Sequence, residues 1–232
     1  MKVLNLYAGI GGNRKLWGDV MDVDGTAVEI KNSIADVYQR NFPKDKVIVG
    51  DAHQYLLDNV HKDWDFIWAS PPCPTHSRFG FMGMKNRVGY KKGNRDSKER
   101  SKDLEYPDMK LYQEVIFLDN FFDGKWVVEN TYSYYDPLIK PQKRHRHFFW
   151  SNFFIMEFEK EGANAVSVNS IKEKEKKVGF NLDGCKFDDM DGTHKKDKVL
   201  NNCVNSELGK HVLECAFKNK QITLDEITSE DW

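Results

Sequence analysis

Lys2-Val3-Leu4-Asn5-Leu6-Tyr7-Ala8-Gly9-Ile10-Gly11-Gly12, at the start of the chain, reads as a strand that runs into a glycine turn. An apolar run closed by glycines is the opening of a βα unit, and the sequence downstream repeats it. A helix is predicted near Asn13 to Val20, a second strand over Thr26-Ala27-Val28-Glu29-Ile30, and a helix from about Ser33 to Asn41. Lys46 to Val49 is a third strand, closed by Gly50-Asp51, and Trp64-Asp65-Phe66-Ile67-Trp68-Ala69 a fourth. From Pro107 a helix places Leu111, Val115, Leu118 and Phe122 on one face, and Trp126-Val127-Val128-Glu129-Asn130 is the fifth strand. Such alternation predicts an α/β fold, a mostly parallel sheet with helices on both faces.

Composition narrows the class. The chain has 232 residues and a net charge of -1, enough for one main domain with an appendage, and its overall charge does not announce a nucleic-acid binder. Cys73, Cys185, Cys203 and Cys215 are widely spread, with no metal-ligand spacing and no secretory leader before them, so a reduced, cytoplasmic protein without zinc is expected. No apolar stretch approaches the roughly 20 residues that cross a bilayer, and no membrane attachment is expected.

In an open α/β sheet, ligands sit at the carboxyl ends of the strands. The fourth strand ends in Ser70-Pro71-Pro72-Cys73-Pro74, where the prolines stop strand pairing and hold the thiol at a fixed angle. Cys73 is placed as a nucleophile, or as a small packed hydrophobe. Gly9-x-Gly11-Gly12 lets the backbone approach a ligand or simply makes a tight turn. Glu29, about 20 residues on, is placed to accept the hydroxyls of a ribose. Asp51 is placed to accept from an adenine amino group, the alternative for each acid being a helix cap or solvated loop residue. Together they outline an adenosine pocket. Glu129-Asn130 ends the strand beside that of Cys73, bringing a carboxyl group to the thiol's cleft. If Gln142-Lys143-Arg144-His145-Arg146 is extended, Gln142, Arg144 and Arg146 share a face, leading into the aromatic strand His147-Phe148-Phe149-Trp150.

These segments resemble, motif by motif, the cytosine-5 DNA methyltransferases. Leu6-Tyr7-Ala8-Gly9-Ile10-Gly11-Gly12 is similar to the family's F-x-G-x-G cofactor loop. Pro72-Cys73 is similar to its nucleophile motif, Glu129-Asn130 to its Glu-Asn pair, and Gln142-x-Arg144-x-Arg146 to Q-x-R-x-R, whose second arginine contacts the base. Asn201-Asn202-Cys203-Val204-Asn205, before a helix over Glu207 to Phe217, resembles the last motif, Gly-Asn-x-Val-Pro, with asparagine in place of the glycine and the proline. The resemblance implies a Rossmann-like class I methyltransferase that uses S-adenosyl-L-methionine and leaves S-adenosyl-L-homocysteine. It implies a cofactor site of Tyr7, Ala8, Gly9, Gly11, Gly12, Glu29, Ile30, Asp51, Ala52, Pro71, Asn202 and Val204. Cys73, Glu129, Arg144 and Arg146 are the implied catalytic set, with Asn130 and Gln142 on the substrate side. Cys73 would add to carbon 6 of cytosine, Glu129 would hold ring nitrogen 3, and Arg146 the neighbouring carbonyl oxygen.

Arg78 to Lys102 adds separate support for a polyanionic substrate. Nine basic residues, Arg78, Lys85 and Arg87 among them, stand against Asp96 and Glu99, a net +7 beside the nucleophile. Glycines along this stretch give it freedom to close over a strand, and the family resemblance implies a mobile loop here that clamps DNA around an extruded base. The expected organisation is a catalytic and cofactor-binding domain over 1–150, a short target-recognition or insertion segment over 151–200, and a C-terminal segment over 201–232 that returns to the catalytic domain. Within the middle segment, Phe153 to Phe158 reads as a sheet-completing strand, Lys172 to Lys177 as mixed-charge residues, and Asp188-Asp189-Met190-Asp191-Gly192 as a solvated turn lacking the later glutamate of a calcium loop. The expected protein is a monomer whose partner is DNA, with RNA as the alternative substrate. The other readings weighed are a non-catalytic relative that keeps the fold, against which Cys73, Glu129 and Arg146 argue, and an amino-methylating enzyme, which would want an aromatic residue where Cys73 stands.

Overall fold

The computed structural model describes residues 1–77, 107–158 and 170–218. Arg78, Lys85, Arg87 and the rest of the basic stretch lie outside the described residues. Seven strands form one sheet in the order β3-β2-β1-β4-β5-β7-β6. They are β1 (Lys2–Leu6), β2 (Asp24–Glu29), β3 (Lys46–Val49), β4 (Phe66–Ala69), β5 (Lys125–Thr131), β6 (Gln142–Arg144) and β7 (His147–Ser151). β1 to β5 are mutually parallel, β7 runs antiparallel to β5, and β6 antiparallel to β7. The mostly parallel, Rossmann-like sheet expected from the βα alternation is therefore present.

Alternation along each strand builds the two cores. Leu4, Leu6, Ile67, Ala69 and Val128 face helices α2 (Ala52–Asn59) and α3 (Lys110–Phe121). Val3, Phe66, Trp68, Val127 and Phe149 face the opposite side, where α6 (Ser206–Phe217) contributes Leu208, Val212 and Leu213. α1 (Asn32–Asn41) lies on that second side over β2 and β3, with Tyr38 fully buried. Leu111, Val115 and Leu118 form the buried stripe of α3, as their spacing predicts, while Phe122 caps its end. No helix among the described residues is long and apolar enough to cross a membrane.

The structure corrects the helix expected over Asn13 to Val20. That stretch is turns with one short 3-10 turn, Trp17–Asp19. Asn13 is drawn into the core by a reciprocal pair with Asn5, Nδ2 to Oδ1 at 2.8 and 3.3 Å. Its backbone also lies where a side chain on Gly209 of α6 would collide, 2.3 Å from the Asn13 carbonyl oxygen. The Trp17 indole donates to the Gly209 carbonyl at 3.1 Å, and Arg14 pairs with buried Asp45. Long-range contacts thus replace the local helix.

The sheet-completing strand expected over Phe153 to Phe158 is likewise absent; the chain there bends at Phe153 and continues without ladder partners. Side chains of β6 hold it instead. Gln142 takes the Ile155 amide at 2.8 Å and donates to the Phe153 carbonyl at 2.9 Å, while Arg144 donates to the Ile155 carbonyl. The mixed-charge run of lysines and glutamates is a helix with a buried side. It forms α4 (Ile171–Val178), capped by Ser170 and closed by Gly179 in the left-handed region at φ 71°. Lys174 and Glu175 are buried, Lys174 against Asp197 at 2.5 Å and Glu175 against the Leu182 amide at 2.6 Å. Nor is the turn at Asp189 wholly solvated. Asp189 accepts the Ser33 amide at the start of α1 at 3.0 Å, and Met190 is buried. α5 (Lys195–Asn201) follows, and its Val199 and Leu200 pack with Phe180 and Leu182 onto Ile10 and Val37.

Candidate active site

The strand order reverses between β1 and β4, and a cleft of about 600 Å³ opens at the carboxyl ends of the strands there. The loop after β1 delivers Tyr7, Ala8, Gly9, Ile10 and Gly12, β2 leads to Glu29 and Ile30, and Asp51 and Ala52 stand at the start of α2. The loop after β4 delivers Ser70 to Pro74, and β5 delivers Glu129, Asn130 and Thr131. The far wall is Met190, Lys198, Val199 and the stretch Asn201 to Val204.

At one end the glycine loop is tied to its acid. Glu29 accepts the Gly9 amide at 3.0 Å and the Lys31 amide at 2.9 Å, and burial raises the carboxyl group above its ordinary range against those bonds. Gly9 lies at φ 55°, and a side chain there would meet nothing within 4 Å, so its backbone faces open cleft. Gly12 is the reverse case. A side chain on it would stand 2.2 Å from the Val204 carbonyl oxygen, so the absence of one lets the 201–204 stretch close on the loop. Gly11 does not line the cleft; its missing side chain makes room for the Phe42 and Tyr38 rings of the α1 side. Asp51 caps α2 by accepting the Gln54 amide at 3.1 Å, and that bond, with Lys110 at 3.5 Å, lowers its carboxyl group.

At the other end, Cys73 sits under the proline loop. Asn130 donates to the Pro71 carbonyl at 3.0 Å, and the Cys73 carbonyl accepts the His76 and Ser77 amides at 3.0 and 2.8 Å. These three bonds fix where the thiol stands. Burial and then the charge of Glu129 raise its ionisation above the ordinary thiol value, while Thr131 opposes them. Glu129, itself 5% exposed, uses both oxygens: one accepts from Ser70 Oγ at 2.8 Å, the other stands 2.5 Å from His147 Nδ1. Ser70 Oγ is in turn held by the Trp68 indole at 2.7 Å.

Of the residues expected at the site, Tyr7, Ala8, Gly9, Gly12, Glu29, Ile30, Asp51, Ala52, Pro71, Cys73, Glu129, Asn130, Asn202 and Val204 line this one cleft. Gln142, Arg144 and Arg146 do not. The extended segment that would have aligned them ends at Arg144, because His145 turns through φ 54° to start the hairpin. Gln142 and Arg144 therefore hold the 153–157 stretch, and Arg146 is exposed in the turn. Residues missed by sequence reasoning include Ser70, His76, Lys110, Thr131, His147, Met190 and Lys198. For His147 the signal lay in strand pairing. Register sets Glu129 opposite Phe149 and Thr131 opposite His147, which makes Glu129 and His147 diagonal neighbours on one face.

Comparison with known proteins bears on the glycine loop, both acids and the cysteine at once. Residues 1–99 match the family of C-5 cytosine-specific DNA methylases. The resemblance read from the motifs is the family found over that stretch, which holds the loop, Glu29, Asp51 and Cys73 but ends before Glu129. A curated relative of the cytosine-5 methyltransferases, the tRNA (cytosine(38)-C(5))-methyltransferase of Spodoptera frugiperda, is 38% identical over 84 residues, 34% of this chain. The chain spans 25% of the length of that relative in the match. Among solved structures, a DNMT2 mutant of Spodoptera frugiperda shares 23% identity at a TM-score of 0.35, covering 56% of this chain and 35% of its own. The Entamoeba histolytica methyltransferase EhMeth aligns over 94% of this chain and 98% of its own, at 10% identity and a TM-score of 0.49.

Proposed function

We propose that the chain is a cytosine-5 methyltransferase that takes its methyl group from S-adenosyl-L-methionine and acts on DNA through a covalent Cys73 adduct. The observation that carries this reading is that one cleft joins the glycine loop, Glu29 and Asp51 to Cys73 and Glu129. The residues present fit the cofactor. Gly9 leaves its backbone open to the cleft, Glu29 and Asp51 offer carboxylate oxygens, and Ile30, 63% exposed, offers an apolar surface for a purine. When bound, the cofactor supplies the electrophilic methyl group.

Carbon 5 of cytosine is a poor nucleophile until a thiolate adds at carbon 6 and makes the ring enamine-like. Cys73 performs that addition, and elimination of the same sulfur after loss of the carbon 5 proton restores the ring. Negative charge develops at ring nitrogen 3 during the addition, and Glu129 meets it as a carboxylic acid that donates its proton there, its carboxyl group positioned by Ser70 and His147. Asn130 holds the proline loop at Pro71, so the sulfur does not swing away from the base. Arg78, Lys85 and Arg87 supply phosphate contacts, and exposed Arg146 joins them from the hairpin turn instead of gripping the base.

The tRNA methyltransferase relative supports a second reading, RNA as the substrate of the same chemistry. Labelled methyl transfer with duplex DNA and tRNA in competition separates the two. The first reading expects the label in 5-methylcytosine of the DNA, lost in Cys73→Ala while cofactor binding persists. Label in the tRNA alone selects the second.

A further inference from the structure

Glu129 presents a chemical problem that the site must answer. A carboxylate beside a thiol opposes formation of the thiolate, and at Cys73 it does so on top of burial. The structure also shows what stands on the other side of that carboxylate. His147 Nδ1 lies 2.5 Å from Glu129 Oε1, and His147 lines the cleft with Cys73. The exposed turn that carries Arg146 leaves the imidazole as the basic group in contact with Glu129 among the described residues.

We propose that His147 is a positioning residue for the Cys73–Glu129 pair: it fixes the carboxylate and, when protonated, cancels its charge at the sulfur. The proposal rests on the reading of Cys73 as nucleophile. With Ser70 on Oε2 and His147 on Oε1, the carboxylate is held at both oxygens. Unlike an arginine at this place, an imidazole exists both with and without a charge. Thiolate formation at Cys73 is then coupled to the proton on His147.

Other charged groups of the cleft do not supply this control. Lys110 is committed to Asp51 at 3.5 Å, Glu29 is held by the glycine loop, and Lys198 stands on the far wall. Asp108 gives its carbonyl to His76, whose other ring nitrogen meets the Tyr135 hydroxyl at 2.6 Å; burial keeps that imidazole below its ordinary range. On the hairpin itself, His145 and Arg146 point to solvent.

The test is the rate of alkylation of Cys73 by iodoacetamide, followed by mass spectrometry from pH 6 upward in the full chain. At pH 6, H147Q, which keeps a hydrogen-bond donor but no charge, is expected to react about five- to tenfold slower than wild type, one pKa unit being worth tenfold. H147R, charged throughout, is expected to react at least as fast as wild type, which also shows that the position tolerates change. Added to E129Q, H147Q is expected to have no further effect. In methyl transfer, H147Q should lower kcat and leave KM unchanged. Alkylation of H147Q at the wild-type rate, or equal slowing in both backgrounds, overturns the proposal. Because alkylation needs no methyl transfer, a wild type that alkylates as described but methylates no cytosine refutes the proposed function and leaves the His147 pairing standing.

Discussion

Cys73 is legible in the sequence as a residue set apart by prolines, with Glu129 brought to its cleft by the neighbouring strand. What the structure adds is Ser70 and His147 on the two carboxylate oxygens of Glu129. The negative charge of Glu129 raises the thiol, so removing that charge lowers it. Glu129→Gln should therefore speed alkylation of Cys73 severalfold at about pH 8, below the ordinary thiol value near 8.5. A rate unchanged in that variant would show that burial alone sets the thiol. Arg144 and Arg146 are the instructive failures of sequence reading. Period-two reasoning put them on one face, but the left-handed turn at His145 sends Arg144 to the 153–157 stretch and Arg146 to solvent. A tight turn two residues from a strand end leaves too weak a pattern to see.

At the scale of elements, helix α3 was readable because Leu111, Val115 and Leu118 fall on one stripe and bury it against the sheet. The 13–20 stretch was not, because its conformation is set by Asn5 and Gly209, which are distant in sequence. Contact between the glycine loop and the 201–204 stretch is similarly long-range. Gly12→Ala should destabilise the protein by about 1–3 kcal/mol, as expected for overpacking, and weaken cofactor binding with it. A denaturation midpoint that does not move would place the clash elsewhere. At the start of α6, Asn205 accepts the Glu207 and Leu208 amides at 2.9 and 3.2 Å. Asn205→Ala should cost about 1 kcal/mol in urea denaturation, the ordinary value of such a cap.

For the whole molecule, the parallel sheet and the position of its cleft followed from repeated βα units and the switch point between β1 and β4. The part that was not legible is the 170–201 stretch, where the sequence showed only mixed charges and a turn. It forms the far wall of the cleft instead, held by an apolar cluster onto Ile10 and Val37 and by the buried Lys174 bonded to Asp197 and Asn201. Charge pattern alone does not distinguish a lysine in water from one with two partners. Lys174→Ala should cost on the order of 2 kcal/mol and reduce cofactor affinity through the same wall. Cofactor binding in turn should stabilise the wild-type fold by about 2.7 kcal/mol at a hundredfold excess over Kd, read as a rise in Tm.

The central claim, that Cys73 attacks a cytosine in a cleft that also holds the methyl donor, is tested most directly by trapping. Wild-type protein is mixed with S-adenosyl-L-methionine and DNA carrying 5-fluorocytosine, which cannot lose its carbon 5 substituent as a proton. A covalent protein–DNA adduct that maps to Cys73 and is absent from Cys73→Ser is the result predicted; the same test on 5-fluorocytosine RNA covers the second substrate reading. Methyl transfer with no adduct on either nucleic acid, or an adduct that survives Cys73→Ser, would contradict it.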